Sequence, residues 1–295
     1  MKQRSDILMI INPASGVGKK GSLTDLLNKL IEKSDKNFII SQTEYPGHAE
    51  KLAEQYLNEG IKHFIVAGGD GTLNEVAKVL TGYPNVSMGI IAAGSGNGLA
   101  RHLSLPKNIE EAFDVATGQK TIPIDVGFLN DKPFLSVAGV GFDAKTASVF
   151  AKMKGRGMKN YVIAVVRNYP GYKPEEYIIK TNDQVIKKKV FLVSFANSNQ
   201  FGGNVSISPK SSLQDGLIDI CILEKIPAVL AAIMFPLLFM KKLHKTRYLN
   251  IIQAKEAEIH ITDKSLIQID GDLVQFNEKV LTLSLKEKAL HIHVK

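Results

Sequence analysis

A strand ending, a glycine turn and a helix start are compressed into Val66-Ala67-Gly68-Gly69-Asp70-Gly71-Thr72-Leu73-Asn74-Glu75, and this junction restricts the fold more than any other segment of the chain. Residues 61–67 form a largely apolar run of strand length, after which Leu73, Val76, Ala77 and Leu80 recur at helical spacing. The glycines therefore sit on a strand-to-helix turn. There the main chain can come close to a ligand, and unpaired N–H groups at a helix N-terminus attract anions. A carboxylate inside such a turn, Asp70, would repel phosphate unless a divalent metal or a hydroxyl-bearing acceptor came between, so it is the first candidate for chemistry. The bland alternative is a tight connection with Asp70 or Thr72 as helix N-cap.

The rest of the first part has the same grammar. Strand-like runs at 7–11, 38–41, 64–67 and 88–92 alternate with amphipathic stretches at 23–31, 49–57, 73–80 and 109–115, an order that calls for a parallel sheet covered by helices. Beyond about Asp125 strand-like runs dominate, at 134–138, 177–179, 190–195, 217–223, 251–252, 259–261, 266–269, 280–285 and 290–294. Helical interruptions fall around 145–167 and 228–244. At 295 residues the chain has room for two domains.

Two further glycine turns follow strands. Asn12-Pro13-Ala14-Ser15-Gly16 leads into Gly18 and Gly21, a G-x-G-x-x-G spacing that raises a dinucleotide-dependent oxidoreductase as a rival; Pro13 directly after the strand weakens it. Gly94-Ser95-Gly96-Asn97-Gly98 follows the fourth strand. In a doubly wound sheet all three turns open at one carboxyl edge, with Thr43 and Glu44 after the second strand, and together they outline a nucleotide cleft. No Walker A loop is present.

The net charge of +8 favours anionic partners, whether nucleotide, nucleic acid or acidic membrane. No aromatic-interleaved basic motif points to nucleic acid. Cys221, the single cysteine, lies in an apolar run and reads as a buried structural thiol. The apolar stretch 226–240 is too short to span a bilayer and contains Pro227 and Pro236. It runs into Lys241, Lys242, His244, Lys245 and Arg247, a pairing that suits an anionic bilayer, although a buried helix with a solvated basic end explains it as well. Lys187 to Lys189 read as a solvated strand edge, the basic segment 152–159 as a lid, a membrane contact or equally a surface loop, and His291 and His293 as exposed on one strand face.

Asn12 to Gly16, Gly68 to Glu75, Gly94 to Gly98, Asp215-Gly216-Leu217-Ile218-Asp219 and Asp270-Gly271 occur in the order and context of the diacylglycerol kinase catalytic-domain superfamily. The chain resembles its bacterial soluble members, relatives of sphingosine and ceramide kinases. That resemblance implies an α/β ATP-binding domain akin to phosphofructokinase and NAD kinase over 1–125, with the terminal strand 286–295 returning to it. A β-sandwich lipid domain would occupy 126–285. It implies transfer of the γ-phosphoryl of ATP to a lipid hydroxyl with Mg²⁺, by a cytoplasmic protein working peripherally at the inner, anionic membrane face, and it leaves a homodimer open.

Carried over by position, Asn12, Pro13, Ala14, Ser15, Gly16, Thr43, Gly68, Gly69, Asp70, Gly71, Thr72, Leu73, Asn74, Glu75, Gly94, Ser95, Gly96 and Asn97 match nucleotide-contacting positions. Asp215 matches a structural magnesium ligand, with main-chain carbonyls near Ser212 and Leu217. Asp270 matches the proton acceptor, with Asp70 competing for that role, and Asp125 and Asp219 could join an aspartate, water and metal network. From the residues alone, Asp270-Gly271 is equally a hairpin turn. GSGNG at 94–98 leans towards a sphingoid base or ceramide. The rivals are an NAD kinase, an NAD-dependent oxidoreductase and a non-catalytic lipid-binding protein.

Overall fold

The computed structural model describes residues 6–15, 22–153, 158–200, 205–262 and 265–295, and the chain divides into two compact units, Met1–Ile124 with Lys288–Lys295, and Asp125–Glu287. The first unit runs β1 (Ile7–Ile11), α1 (Ser22–Glu32), β2 (Phe38–Gln42), α2 (His48–Asn58), β3 (His63–Gly68), α3 (Asp70–Leu80), β4 (Ser87–Ala92), α4 (Gly98–His102) and α5 (Ile109–Ala116). Its strands pair in parallel in the order β2-β1-β3-β4. All five residues of β1 are buried, as a strand covered on both faces requires. On one face Met9, Ile11, Ile65 and Ile91 pack with Leu27 of α1 and Phe113 of α5. The order reverses between β1 and β3, and that reversal places a crevice outside their carboxyl ends.

Unit 2 continues with β5 (Thr121–Leu129, inside the unit from Asp125), β6 (Lys132–Phe134), β7 (Val137–Gly141), α6 (Phe142–Lys152), α7 (Met158–Asn168), β8 (Glu175–Lys180), β9 (Val185–Val190), β10 (Leu192–Ala196), β11 (Ile218–Leu223), α8 (Ala228–Met234) and α9 (Pro236–Phe239). A 3₁₀ turn at Leu243–Lys245 then leads to β12 (Leu249–Ala254), β13 (Glu256–His260), β14 (Ile267–Ile269), β15 (Asp272–Val274) and β16 (Val280–His293, inside the unit as far as Glu287). One antiparallel sheet has the order β12-β11-β10-β7-β14-β15 and another contains β16-β13-β8-β9. Phe134, Phe195, Ile220, Ile259 and Leu281 fill the core, and these residues come from strands of both sheets. This is the expected sandwich.

Several sequence expectations are corrected. The run 134–138 is two strands broken at Leu135-Ser136, and 190–195 is broken at Phe191, whose N–H donates instead to Leu223 O at 2.8 Å. The runs 280–285 and 290–294 form one strand, β16, whose polar residues between them stay in the ladder direction although Lys288 has φ 51°. His293 is 4% exposed rather than open to solvent. It stacks on His63 with ring centroids 4.2 Å apart, and its Nε2 meets Ser87 Oγ at 2.8 Å. Lys187 to Lys189 do lie exposed on β9, at the end of its sheet, and Cys221 is a buried free thiol. Among the described residues no helix is long and apolar enough to cross a membrane.

Candidate active site

At the carboxyl edge of the first unit the four loops are wired to one another. The backbone begins the work: Asn12 N donates to Ala67 O, Thr43 N to Ile11 O and Ala93 N to Gly68 O, at 2.9, 2.9 and 2.8 Å. Side chains complete it. Asn12 Nδ2 donates to Thr72 Oγ1 at 2.9 Å while its Oδ1 accepts from Ala14 N, which fixes the turn at Pro13. Glu75 on α3 accepts from Gly47 N and Ala49 N, at 2.8 and 3.0 Å, and so caps α2 from a neighbouring helix. Asp70 accepts from Asn97 N and Gly98 N, both at 2.8 Å, at the start of α4.

Neither Asp70 nor Thr72 caps α3, whose N-cap is Gly69 without a side-chain bond. Asp70 instead ties the loop after β3 to the loop after β4. Burial pushes its carboxyl above the usual carboxylate range, against the pull of the Gly98 and Asn97 N–H groups and Arg101. Arg101 Nε in turn holds Gly96 O at 2.8 Å. The repulsion that Asp70 would exert on phosphate is thus partly absorbed by donors that the fold supplies. Gly16, with Gly18 and Gly21, lies outside the described residues.

Glycine is required here by contact. A Cβ on Gly94 would stand 2.6 Å from the Cα of Gly69, a backbone atom that cannot swing away. Gly94→Ala is therefore expected to push the two loops apart and weaken ATP binding about tenfold, the lower end of what overpacking costs. Calorimetric titration of both proteins with ATP checks this, and unchanged affinity would show that the loop contact is not what shapes the site.

In the second unit Asp270-Gly271 is the turn of the β14–β15 hairpin, with φ 47° and 94°, as the sequence alternative held. The turn does more than reverse the chain. Asp270 Oδ2 accepts from Leu135 N at 2.7 Å, and Oδ1 from Ser136 N and Val137 N at 2.8 and 2.7 Å. The break between β6 and β7 is what frees those three N–H groups. Gln268 Oε1 takes Gly271 N at 2.8 Å and its Nε2 donates to Asp143 Oδ2 at 3.2 Å, linking the hairpin to α6.

Two further acids of this unit, Asp125 and Asp219, lie close enough to Asp215 for their charges to act on it. Asp125 Oδ2 accepts from Gly216 N at 2.8 Å, and Asp215 Oδ1 from Leu217 N at 3.2 Å. Asp219 is bound on β11 by Ser208 Oγ and by Gln253 Nε2. Burial, and then the charges of Asp219 and Asp125, push the exposed Asp215 carboxyl upward. A cation beside Asp215 would relieve that repulsion, so the donor chemistry fits Mg²⁺. Among the described residues no three His, Cys, Asp or Glu side chains converge on one point, so such a site depends on main-chain carbonyls and water.

Unit 2 also holds an apolar cavity of about 490 Å³, within the size range of ligand pockets. Phe142, Val165, Phe191, Ile207, Leu223 and Leu238 are among its walls, and Asp143, Thr146 and Tyr161 give it a polar corner. Asp143 escaped sequence reasoning. Burial pushes its carboxyl up to about 7, and Gly139 leaves it room, since a Cβ there would stand 2.2 Å from Oδ2. The available signal was an acid set directly into the apolar run Val137-Ala-Gly-Val-Gly-Phe142, where only a buried partnered role is stable.

A doubly wound unit with interlocked loops at its switch-point edge is thus followed in the chain by an antiparallel sandwich with its own apolar cavity, a phosphate-suited edge and an apolar ligand site. Residues 6–129 match the family model described as diacylglycerol kinase catalytic domain, and residues 136–292 that described as YegS C-terminal NAD kinase beta sandwich-like domain. The chain belongs to the diacylglycerol kinase catalytic-domain family, and as a member it is a lipid kinase that uses ATP. A Staphylococcus epidermidis protein named diacylglycerol kinase is 31% identical over 92% of this chain and 86% of its own. One of that name from Bacillus subtilis is 29% identical over 90% and 88%. A Bacillus anthracis crystal structure shares the fold, with TM-score 0.82 and 23% identity over 99% of this chain and 97% of that one.

Proposed function

We propose that this protein transfers the γ-phosphoryl group of ATP to the free hydroxyl of a diacylglycerol, working as a peripheral protein on the cytoplasmic membrane face. The observation that carries the lipid acceptor is the apolar cavity of the sandwich unit, which has the size for a ligand and walls suited to hydrocarbon. The relatives' shared name favours diacylglycerol over the sphingoid or ceramide acceptor to which GSGNG leans.

Phosphoryl transfer needs positioning and charge neutralisation more than covalent chemistry. In this reading the main chain of Gly69 to Thr72 and of Gly94 to Gly96 receives the phosphates, beside the Asn12 to Ser15 turn, whose Ala14 and Ser15 N–H groups are held by Asn12. Thr43 and Glu75 shape the edge, the latter by holding the α2 loop. Asp70 holds the third loop at its working distance. Bound Mg²⁺, held by Asp215 with the carbonyls of Ser212 and Leu217, would supply positive charge near the acids of unit 2. Asp270 takes the proton of the lipid hydroxyl, its carboxylate fixed in orientation by three main-chain donors.

The test is phosphate transfer from γ-labelled ATP to vesicles containing diacylglycerol, phosphatidylglycerol, sphingosine or ceramide, with NAD as a soluble competitor acceptor. Labelled phosphatidic acid is the expected product. Label on a sphingoid product keeps the kinase and moves the acceptor, label on NAD favours the NAD kinase rival, and ATP binding without any product overturns the reading.

A further inference from the structure

The segment 226–247 is not the buried helix with a solvated end that its sequence allows. No residue of α8 or α9 is buried, and Val229, Ile233, Leu230 and Met240 are 76%, 68%, 41% and 53% exposed. The two faces of this short helix pair do different work. Ala231, Met234, Phe235 and Leu238, spaced for one helical face, line the apolar cavity, whereas Val229, Leu230 and Ile233 point away from it and do not line it.

Large apolar side chains clustered on a surface are unusual in a soluble protein and mark an interaction site. The charge around this cluster has one sign. From Lys225 to Gln253 the chain contains no Asp or Glu, and Lys242, Lys245 and Arg247 stand exposed directly after the helices. Exposed apolar residues flanked by lysines, on an element whose other face walls a hydrocarbon-lined cavity, match an anionic bilayer better than a protein partner. The connection between the outer and inner faces is a single layer of helix.

We infer that α8 and α9 form a membrane-docking cover, through which a lipid passes from an anionic bilayer into the cavity beneath. This rests on the lipid-kinase reading for the cavity's occupant, but the docking itself does not. The apolar outer face inserts among acyl chains while Lys242 and Lys245 meet the headgroup phosphates, so docking weakens with salt and needs anionic lipid.

Flotation of the full chain with vesicles of phosphatidylcholine, or of phosphatidylcholine with phosphatidylglycerol, tests the surface. Native protein should float with the second and, in high salt, lose most of that binding. Val229→Asp with Ile233→Asp should lower vesicle binding about tenfold or more, and Lys242→Ala with Lys245→Ala should remove the preference for anionic lipid. These side chains are exposed, so an unchanged melting temperature should confirm an intact fold in each variant. Phosphorylation of vesicle-embedded diacylglycerol should fall in step with binding, while the rate on a water-soluble short-chain diacylglycerol stays near native. If native protein phosphorylates neither substrate, the kinase reading fails and flotation still decides the docking. Native-like flotation of both double variants overturns the inference, as does a native dimer in sedimentation that Val229→Asp with Ile233→Asp dissociates without changing vesicle binding.

Discussion

Asp270→Ala is expected to lower the unfolding free energy by about 3 to 5 kcal/mol, the cost of leaving several buried main-chain donors without an acceptor. The donors are the N–H groups of Leu135, Ser136 and Val137, all within 2.8 Å of its carboxylate, and Leu135 and Val137 are buried. Alanine also fits poorly at φ 47°, adding about 1 kcal/mol. Asp270→Asn tolerates that backbone and keeps one acceptor oxygen, so its destabilisation should be clearly smaller. Chemical denaturation of both variants, read beside phosphate transfer, separates two roles. A folded Asp270→Asn protein that binds ATP but transfers no phosphate supports the carboxylate as proton acceptor. A folded variant that retains transfer reduces Asp270 to a structural clamp.

The second large effect is on the pH dependence of stability. Complete burial raises the Asp143 carboxyl from 3.8 to about 7, so the folded protein binds a proton that the unfolded chain has already released. The contribution is fully present below about pH 4, declines as pH rises, and is gone above about pH 7; it amounts to about 4 kcal/mol at most. The neighbouring groups that bear on it are the Ala144 N–H and Gln268, which both donate to it and oppose the rise, and the uncharged phenols of Tyr161, Tyr172 and Tyr177. His293, lowered to about 4 by burial and by His63, works in the opposite direction, since stability falls as pH drops from 6.5 towards that value. Asp143→Asn should leave the His293 slope and remove the other. Denaturation midpoints of native and variant protein at pH 4.5 and pH 8 should therefore shift relative to each other, with the variant gaining at pH 8. Parallel pH profiles would show that Asp143 is ionised in the folded protein.

The parallel unit was legible because each of its strands is a continuous apolar run followed by a helix-period stretch, and the two patterns rarely coincide by chance. The sandwich was less so. Sheet breaks at Leu135-Ser136 and at Phe191 interrupt apolar runs that read as single strands, because hydrophobicity reports burial and not the hydrogen-bond partner of each N–H group. The opposite error split β16, whose exposed middle, Lys286 to Lys288, looks like a loop in sequence but follows the strand.

At the candidate site the chain order alone showed the glycine turns and the isolated carboxylates, since a run such as Gly68-Gly69-Asp70-Gly71 leaves the main chain bare; the reason for glycine is contact and not conformation, because a Cβ at Gly68 would stand 2.9 Å from Thr72. Only the tertiary structure decided what those carboxylates touch. Asp70 binds the N–H groups of α4, Glu75 those of α2, and Asp270 the gap between β6 and β7, pairings separated by 26 to 135 residues. Asp143 and the exposed face of α8 depend on the same kind of information. A sequence fixes which groups are charged or apolar, whereas burial and partnership arise from elements distant in the chain, and those set the electrostatics of a carboxylate and the exposure of a helix face.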